Sequence, residues 1–411
     1  MRNSSESADG TLCLDDMNSK NLDHQAPHSA TAELEPPLMN KARPWRRLQQ
    51  TLDGEVIGMI LLIKALLFFF AARSFQTLEG ESTGGLGGAL NIWNRWDAVN
   101  YLRLAQNGYS NDDARWLMVF YPLYPWLIRF LSLFTRNYLV SALLISAVAS
   151  ITAGLLLRKL VLLDHSDETA RRAVWFMFIF PTSYFLHIGY TESLFLALAL
   201  GSFLSARRNR WWLAGGLGAL ACMTRGTGLV LLPALGFEAF EQFRATHRWN
   251  WNWLWIPTML VGFGAYLLVN QRVMGNPFAF ISIRQQYFYI SSAWPWVGIT
   301  SVFGAFNRVP FEAELLGTQE LLFITLGAIC VFASFAVLRT SYAIWIAGNW
   351  LLVTSVTFVA SVPRYTLVMF PIFILFARLA RRPLWNVAIT VWSLLNLGLF
   401  AAQFVRGRWA F

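Results

Sequence analysis

The stretch EVIGMILLIKALLFFFAA, residues 55–72, decides the class of fold. Apart from Glu55 and Lys64 it is apolar, and it approaches the roughly 20 residues that a helix needs to cross a hydrocarbon core of about 30 Å. The segment KARPWRR, residues 41–47, carries four basic residues directly before it. Because positive charge is retained in the cytoplasm, the amino end of this span is predicted to lie inside and residue 73 onward outside.

The composition of the whole chain supports a membrane protein. Hydrophobic residues make up 56% of the 411 residues and charged residues only 14%, whereas soluble domains carry about 25% charged residues. The net charge of +10 is best explained by Lys and Arg in short cytoplasmic loops, which excludes nucleic acid as the favoured partner. The lipid bilayer is the predicted environment.

Further apolar runs predict an all-α, polytopic integral membrane protein with about eleven crossings. FYPLYPWLIRFLSLF, residues 120–134, contains two prolines and Arg129, which favours an interfacial or re-entrant helix in the first outer loop over a crossing. The predicted crossings are residues 55–72, 137–157, 173–188, 192–206, 211–224, 229–243, 251–270, 319–338, 342–361, 364–379 and 384–404.

Two domains are expected. Residues 1–50 include a polar, Pro-containing segment with no apolar period, which predicts a disordered cytoplasmic tail without a signal peptide. Residues 51–411 form the predicted transmembrane domain. The cysteines Cys13, Cys222 and Cys330 show no CxxC spacing, so neither a disulfide framework nor a metal site is predicted.

With this topology, polar residues from five distant segments share the outer face. Each has a structural alternative: Asp97 pairs with Arg95 or Arg103, Glu192 caps a helix, and the arginines reach lipid headgroups. Together these alternatives weaken, because charged groups at membrane depth are costly and usually functional. The residues are Asp97, then Tyr190, Thr191 and Glu192, then Arg225, then Arg284, Gln285 and Gln286, and finally Arg364.

The chemistry of these side chains indicates a substrate class. Arginine presents a planar fork suited to phosphate, and a carboxylate acts as a general base on a hydroxyl group. Aromatic and amide side chains suit sugar, and Trp96 is predicted to anchor the loop of Asp97 at the interface. The residues alone therefore predict a lipid-linked phosphate substrate in the outer leaflet.

Several blocks of the chain, in order, resemble the PIG-V family of membrane mannosyltransferases. The combination of the blocks is specific, whereas any one alone would be weak, and the resemblance covers about residues 55–380. The blocks are NRWDAVNYLRLAQNGY with VFYPLYPWLIRFL, FPTSYFLHIGYTESLFLALAL, RWWLAGGLGALACMTRGTGLVLLP, MGNPFAF and VPRYTLVMFPIF.

The resemblance implies a GT-C fold and an inverting transfer of mannose from a polyprenyl- or dolichyl-phosphate-mannose donor. It implies that Asp97 deprotonates the acceptor hydroxyl, that Glu192 either assists it or holds the acceptor, and that Arg225 and Arg364 are candidates to hold the donor phosphate. No cofactor is predicted to be required; a divalent metal is possible in the superfamily, but no ligand set is visible. The substrate-binding candidates are Trp96, Tyr101, Tyr190, Arg225, Arg284, Gln285, Gln286 and Arg364.

The predicted function is thus a membrane glycosyltransferase with an extracytoplasmic site and a glycolipid or glycan acceptor. The chief alternative is a transporter or flippase of a lipid-linked or anionic solute, which would need polar or broken segments at the bilayer midplane. A second alternative is a non-catalytic subunit that keeps the fold. The predicted membrane is a bacterial plasma membrane, with the endoplasmic reticulum as the alternative.

Overall fold

The computed structural model describes residues 42–410 except 111, 113, 308, 311 and 312. Residue contacts divide the chain after Arg47, and the membrane domain is the unit Leu48–Phe411. Residues 1–41 of the predicted tail 1–50 lie outside the described residues, as does Cys13, whereas residues 42–50 form the start of the first helix. Cys222 and Cys330 are buried free thiols.

The described residues form helices and no sheet. One isolated antiparallel bridge joins Ser292 to Val356. In the first half of the chain the helices are α1 (Ala42–Glu79), α2 (Leu86–Asn91), α3 (Asp97–Asn107), α4 (Leu123–Thr135), α5 (Tyr138–Val161), α6 (Asp167–Ile179), α7 (Glu192–Arg207) and α8 (Trp211–Thr224).

The second half continues in the same way. Short 3₁₀ segments precede α9 and α10 at Gly226–Val230 and Trp251–Thr258. The helices are α9 (Leu231–Thr246), α10 (Met259–Met274), α11 (Ala279–Phe288), α12 (Pro295–Ser301), α13 (Glu320–Val337), α14 (Thr340–Thr354), α15 (Val362–Thr366), α16 (Pro371–Leu379) and α17 (Pro383–Val405).

Five helical segments are long and apolar enough to cross a membrane, within the part of the chain that the structure describes. They are Asp53–Glu79, Tyr138–Val161, Trp251–Met274, Gly317–Val337 and Pro383–Val405. Each of the other predicted crossings also contains helical residues, but the helices there are shorter. The protein is a multi-pass helical membrane protein, as predicted, while the total of eleven crossings is not confirmed.

Helix α7 is the centre of the bundle. All but two of its 16 residues are buried, because it is apolar on every face and packs between α5 and α8. Its length of about 24 Å follows from the helical rise of 1.5 Å per residue. Its two ends are its only charged points: Glu192 lies in the first turn and Arg207 in the last.

The segment predicted to be an interfacial helix forms α4, which packs against α3 and α5. One face of α4 buries Tyr124 and Ile128, while Phe130, Leu133 and Phe134 are exposed. Arg129 donates from its guanidinium to the backbone carbonyls of residues 105 and 106, which ties α4 to the end of α3. The helix that begins at Asp97 thus has a fixed support.

Candidate functional site

Asp97 is the first residue of α3, and the turn before it is unusual. Trp96 has φ 52° and ψ −122°, a conformation that a bulky residue adopts only at a cost. Trp96 is 41% exposed and packs edge-on against Trp409, with ring centroids 5.4 Å apart. This turn starts the helix at Asp97, whose carboxylate binds Arg364 beside the first turn of α7.

Glu192, at the first turn of α7, is completely buried. Its Oε1 accepts hydrogen bonds from Arg225 Nη1 at 2.5 Å and from Arg364 Nε at 2.5 Å. Arg225 follows the last residue of α8, and Arg364 lies in the one-turn helix α15. One carboxylate oxygen therefore joins three segments that are far apart in the sequence.

Arg364 links this buried carboxylate to Asp97. Its Nη1 donates to Asp97 Oδ2 at 2.6 Å, and its guanidinium carbon lies 5.0 Å from the Phe185 ring and 4.6 Å from the Tyr190 ring. Cation–π contacts of this kind hold a guanidinium in place without neutralising it. Asp97 does form an ion pair, as one of the structural alternatives expected, but its partner is Arg364 rather than Arg95 or Arg103.

We call Asp97, Glu192, Arg225 and Arg364 the charged cluster. Its two carboxylates and two guanidiniums balance, which suits its burial. Two gaps remain in it: Glu192 Oε2 is buried with no hydrogen-bond partner among the described residues, and Asp97 exposes a third of its side chain. The cluster is thus closed on the α7 side and open at Asp97.

Hydroxyl groups line the cluster. The Thr191 hydroxyl accepts from Arg225 Nη1 at 3.1 Å and lies 3.4 Å from the hydroxyl of Tyr101, while the Tyr190 hydroxyl donates to the carbonyl of Arg95 at 3.0 Å. Burial, reinforced by the nearby Asp97 carboxylate, raises the pKa of both tyrosines. Tyr101 and Tyr190 therefore stay neutral and hold the turn before α7 against the turn before α3.

The predicted residues of α11 lie outside the charged cluster. Arg284, Gln285 and Gln286 are exposed, and no hydrogen bond or ion pair among the described residues joins their side chains to it. Burial raises the pKa of Tyr121, and the positive charge of Arg284 partly offsets that rise, so Arg284 acts electrostatically on Tyr121. The Tyr121 hydroxyl in turn lies against Gly226, where an added Cβ would meet it at 2.6 Å.

Glu320 is a further residue of the site that the sequence analysis did not identify. Glu320, at the start of α13, is fully buried, and its two oxygens accept the backbone N–H groups of Ser361 and Val362 at 2.6 and 2.8 Å. Ser361 has φ 68°, so the turn into α15 is held in the left-handed region just before Arg364. An acidic residue at the start of an apolar span was the only sign of this role.

No cluster of three or more His, Cys, Asp or Glu side chains suited to a metal ion occurs among the residues that the structure describes. That no metal is required stays a prediction.

Fold and site together define a multi-pass membrane protein in which buried arginines and carboxylates from separate helices converge beside a partly exposed aspartate. The family described as "Mannosyltransferase (PIG-V)" matches residues 84–293, just over half of the chain. The chain belongs to this family, as the sequence motifs predicted. The matched segment contains Asp97, Glu192 and Arg225, whereas Arg364 lies beyond it.

Individual relatives align with a smaller part. A 34% identical segment of 177 residues matches "GPI alpha-1,6-mannosyltransferase 2" of Mus musculus, covering 40% of this chain and 35% of that protein. "GPI mannosyltransferase 2" of Schizosaccharomyces pombe is 25% identical over 184 residues, covering 43% and 38% respectively. The aligned segments span little more than a third of these relatives' length.

Among solved structures, ArnT from Cupriavidus metallidurans bound to undecaprenyl phosphate is similar, with a TM-score of 0.47 and 15% identity. The similarity covers 79% of this chain and 60% of that one.

Proposed function

We propose that this protein is a GT-C membrane glycosyltransferase that moves mannose from a polyprenyl-phosphate-mannose donor to an extracytoplasmic glycolipid or glycan acceptor, with inversion at the anomeric carbon. The observation that carries this proposal is the charged cluster. It combines a partly exposed carboxylate with two arginines at the end of a membrane-embedded helix. The family membership supports the choice of mannose.

Asp97 is the proposed general base. Arg364 holds Oδ2, while Oδ1 has no hydrogen-bond partner among the described residues and is available to an acceptor hydroxyl. A carboxylate fixed on one side and open on the other is oriented for proton removal, which contributes about 10²–10⁴-fold to a rate. In the transfer, the acceptor oxygen forms a bond to the anomeric carbon, its proton passes to Asp97, and the phosphate departs with the bonding electrons.

The arginines are proposed to stabilise the departing phosphate. Arg225 uses Nη1 for both its contacts with Thr191 and Glu192, so Nε and Nη2 have no partner among the described residues. Since the charged cluster is neutral, an incoming phosphate leaves it net negative, and we assign the compensating positive charge to Arg284. Its side chain is exposed and acts electrostatically on Tyr121, which borders Gly226.

Glu192 is proposed to orient both arginines. Its complete burial and its two hydrogen bonds support positioning of Arg225 and Arg364 rather than contact with the acceptor. Trp96 borders the open side, where its exposed indole next to Asp97 offers a flat apolar face to a sugar ring. Tyr101 and Tyr190 are buried, and we assign them to holding the turns that carry Asp97 and Glu192. Gln285 and Gln286 are assigned to the same sugar from the exposed side of α11.

The test is transfer of label in a defined membrane. The protein in lipid nanodiscs receives radiolabelled polyprenyl-phosphate-mannose or, in a parallel reaction, a nucleotide-activated mannose, together with extracted glycolipids and cell-wall glycans. We expect label to pass from the lipid-linked donor only, and the product to have the opposite anomeric configuration. Transfer from the nucleotide sugar, retention of configuration, or no transfer of mannose to any fraction would overturn the proposal.

A further inference from the structure

A long apolar groove of roughly 810 Å³ runs along α7 between α5 and α8. Its lining begins near Leu194, two residues beyond Glu192, and follows α7 to Ser205. This length of helix spans about 17 Å, close to the depth of one leaflet of a hydrocarbon core that is about 30 Å thick. A single acyl chain matches the groove in length and polarity.

Only one end of this groove is charged. Arg208 and Arg210 line it there, and both are exposed and form no ion pair among the described residues. Their neighbour Arg207, in contrast, is held by both oxygens of Asp164 at 2.7 Å. Helix α8 begins directly after Arg210 with no side-chain cap, so its positive N-terminus faces the same end.

We propose that this groove binds an anionic phospholipid, with the phosphate held by Arg208 and Arg210 and an acyl chain lying along α7. Basic residues at the membrane end of an apolar cleft between helices are the usual arrangement for recognition of acidic headgroups. The site lies at the opposite end of α7 from Glu192, so it is separate from the proposed donor phosphate. Its test does not depend on transferase activity.

The bound lipid has a structural consequence. It fills the space between α5 and α8 along α7, the helix whose first turn carries Glu192. Because a ligand that binds only the folded state stabilises it by mass action, an anionic phospholipid raises the melting temperature more than a zwitterionic one.

The experiment compares phosphatidylglycerol with phosphatidylcholine, both dioleoyl, added to the full-length protein in detergent. Native mass spectrometry counts bound lipids, and intrinsic fluorescence follows melting. We expect wild type to prefer phosphatidylglycerol. The variant Arg208→Gln/Arg210→Gln should lose this preference by up to about thirtyfold, since each arginine near an anionic surface contributes a factor of about five.

Two further variants keep the outcome decisive. Arg244→Gln/Arg248→Gln removes the same charge from exposed residues that do not line the groove, and should retain the preference. Thr152→Trp fills the groove from its exposed side and should weaken binding of both lipids. Equal preference in Arg208→Gln/Arg210→Gln and wild type would overturn the proposal, as would displacement of phosphatidylglycerol by stoichiometric polyprenyl phosphate.

Discussion

The two ends of α7 carry ion-pair clusters of similar composition and opposite character. At the start of α7, Glu192 forms ion pairs with Arg225 and Arg364. At its end, Arg207 forms ion pairs with Asp164 and Glu238. Both glutamates, Glu192 and Glu238, are fully buried. The two clusters are separated by the length of the helix, about 24 Å, and each joins segments that are distant in the sequence.

The difference lies in how completely the polar groups are satisfied. Both oxygens of Glu238 accept hydrogen bonds. Arg339 donates two of these bonds, at 2.9 and 3.1 Å, and the Ser341 hydroxyl donates another at 2.9 Å. At the start of α7, Glu192 Oε2 has no hydrogen-bond partner among the described residues, and Arg364 binds only one oxygen of Asp97, whereas Arg207 binds both oxygens of Asp164. A satisfied network holds helices together, whereas an incomplete one beside an opening marks a site.

The largest effect should come from removing one carboxylate at each end. Asp97→Asn should lower the transfer rate by about 10²–10⁴-fold, because it removes the proposed base. Arg364 keeps Glu192 in this variant, so the melting temperature should fall by no more than in Asp164→Asn. Asp164→Asn should leave the rate unchanged and lower stability by about 1 kcal/mol, since Arg207 keeps Glu238. Steady-state kinetics and melting in detergent measure both. The comparison of the two ends fails if Asp97→Asn melts early but still turns over normally.

A smaller effect is expected from replacing the arginine fork. Lysine keeps the charge but cannot join two carboxylates in one plane. Arg364→Lys should therefore lower kcat by about 10²-fold, because Asp97 loses its fixed partner. The matched variant Arg339→Lys should change only the melting temperature, by a few degrees. Equal losses of kcat in the two variants would mean that the ends of α7 are not functionally distinct.

The sequence predicted the charged cluster better than the cluster around Glu238 for a physical reason. Asp97, Glu192, Arg225 and Arg364 stand out because they interrupt or border apolar spans, where charge is costly. Arg339 sits among the ordinary charged residues of a short loop between two helices, so no pattern marks it. Glu238 interrupts the predicted crossing 229–243, but the sequence showed no partner or motif beside it that would single it out. The sequence could not show which of these charged residues form ion pairs, because the contact of Arg364 with Asp97 joins residues 267 positions apart.

The same reasoning explains the shorter crossings and the position of α11. Hydropathy locates α7, yet it does not show that a 16-residue helix is enclosed by its neighbours on nearly every face. Likewise, Arg284, Gln285 and Gln286 were candidates because they lie in a predicted outer loop. Their distance from the charged cluster depends on the path of that loop, which tertiary packing determines. The structure places them on the exposed side of α11, where no hydrogen bond or ion pair among the described residues joins them to the charged cluster.

Glu320 tests the comparison of the two ends of α7 indirectly, because it supports the turn before Arg364 and is not proposed to touch the substrate. Glu320→Gln puts an amide group against one of the two backbone N–H donors, so the turn before Arg364 loosens. We expect kcat to fall about tenfold with KM for the donor unchanged, and Glu320→Asp, which keeps both oxygens, to recover part of the rate. A rise in KM with kcat unchanged would contradict a positioning role.

The smallest effect concerns pH at the Arg207 end of α7. Burial, followed by Arg378, lowers the pKa of His165, which lies between α5 and α6 beside Asp164. As pH falls below about 6.5, His165 is protonated in the unfolded chain before it is protonated in the folded protein. The free energy of unfolding therefore falls until the pH reaches the lowered pKa of the folded state, and this loss remains at lower pH. The loss of melting temperature between pH 7.5 and 5.5 should shrink by about 1 °C in His165→Gln. The transfer rate should keep its pH dependence in this variant, because the proposed base is at the other end of α7; a shifted rate profile would connect the two ends and contradict their independence.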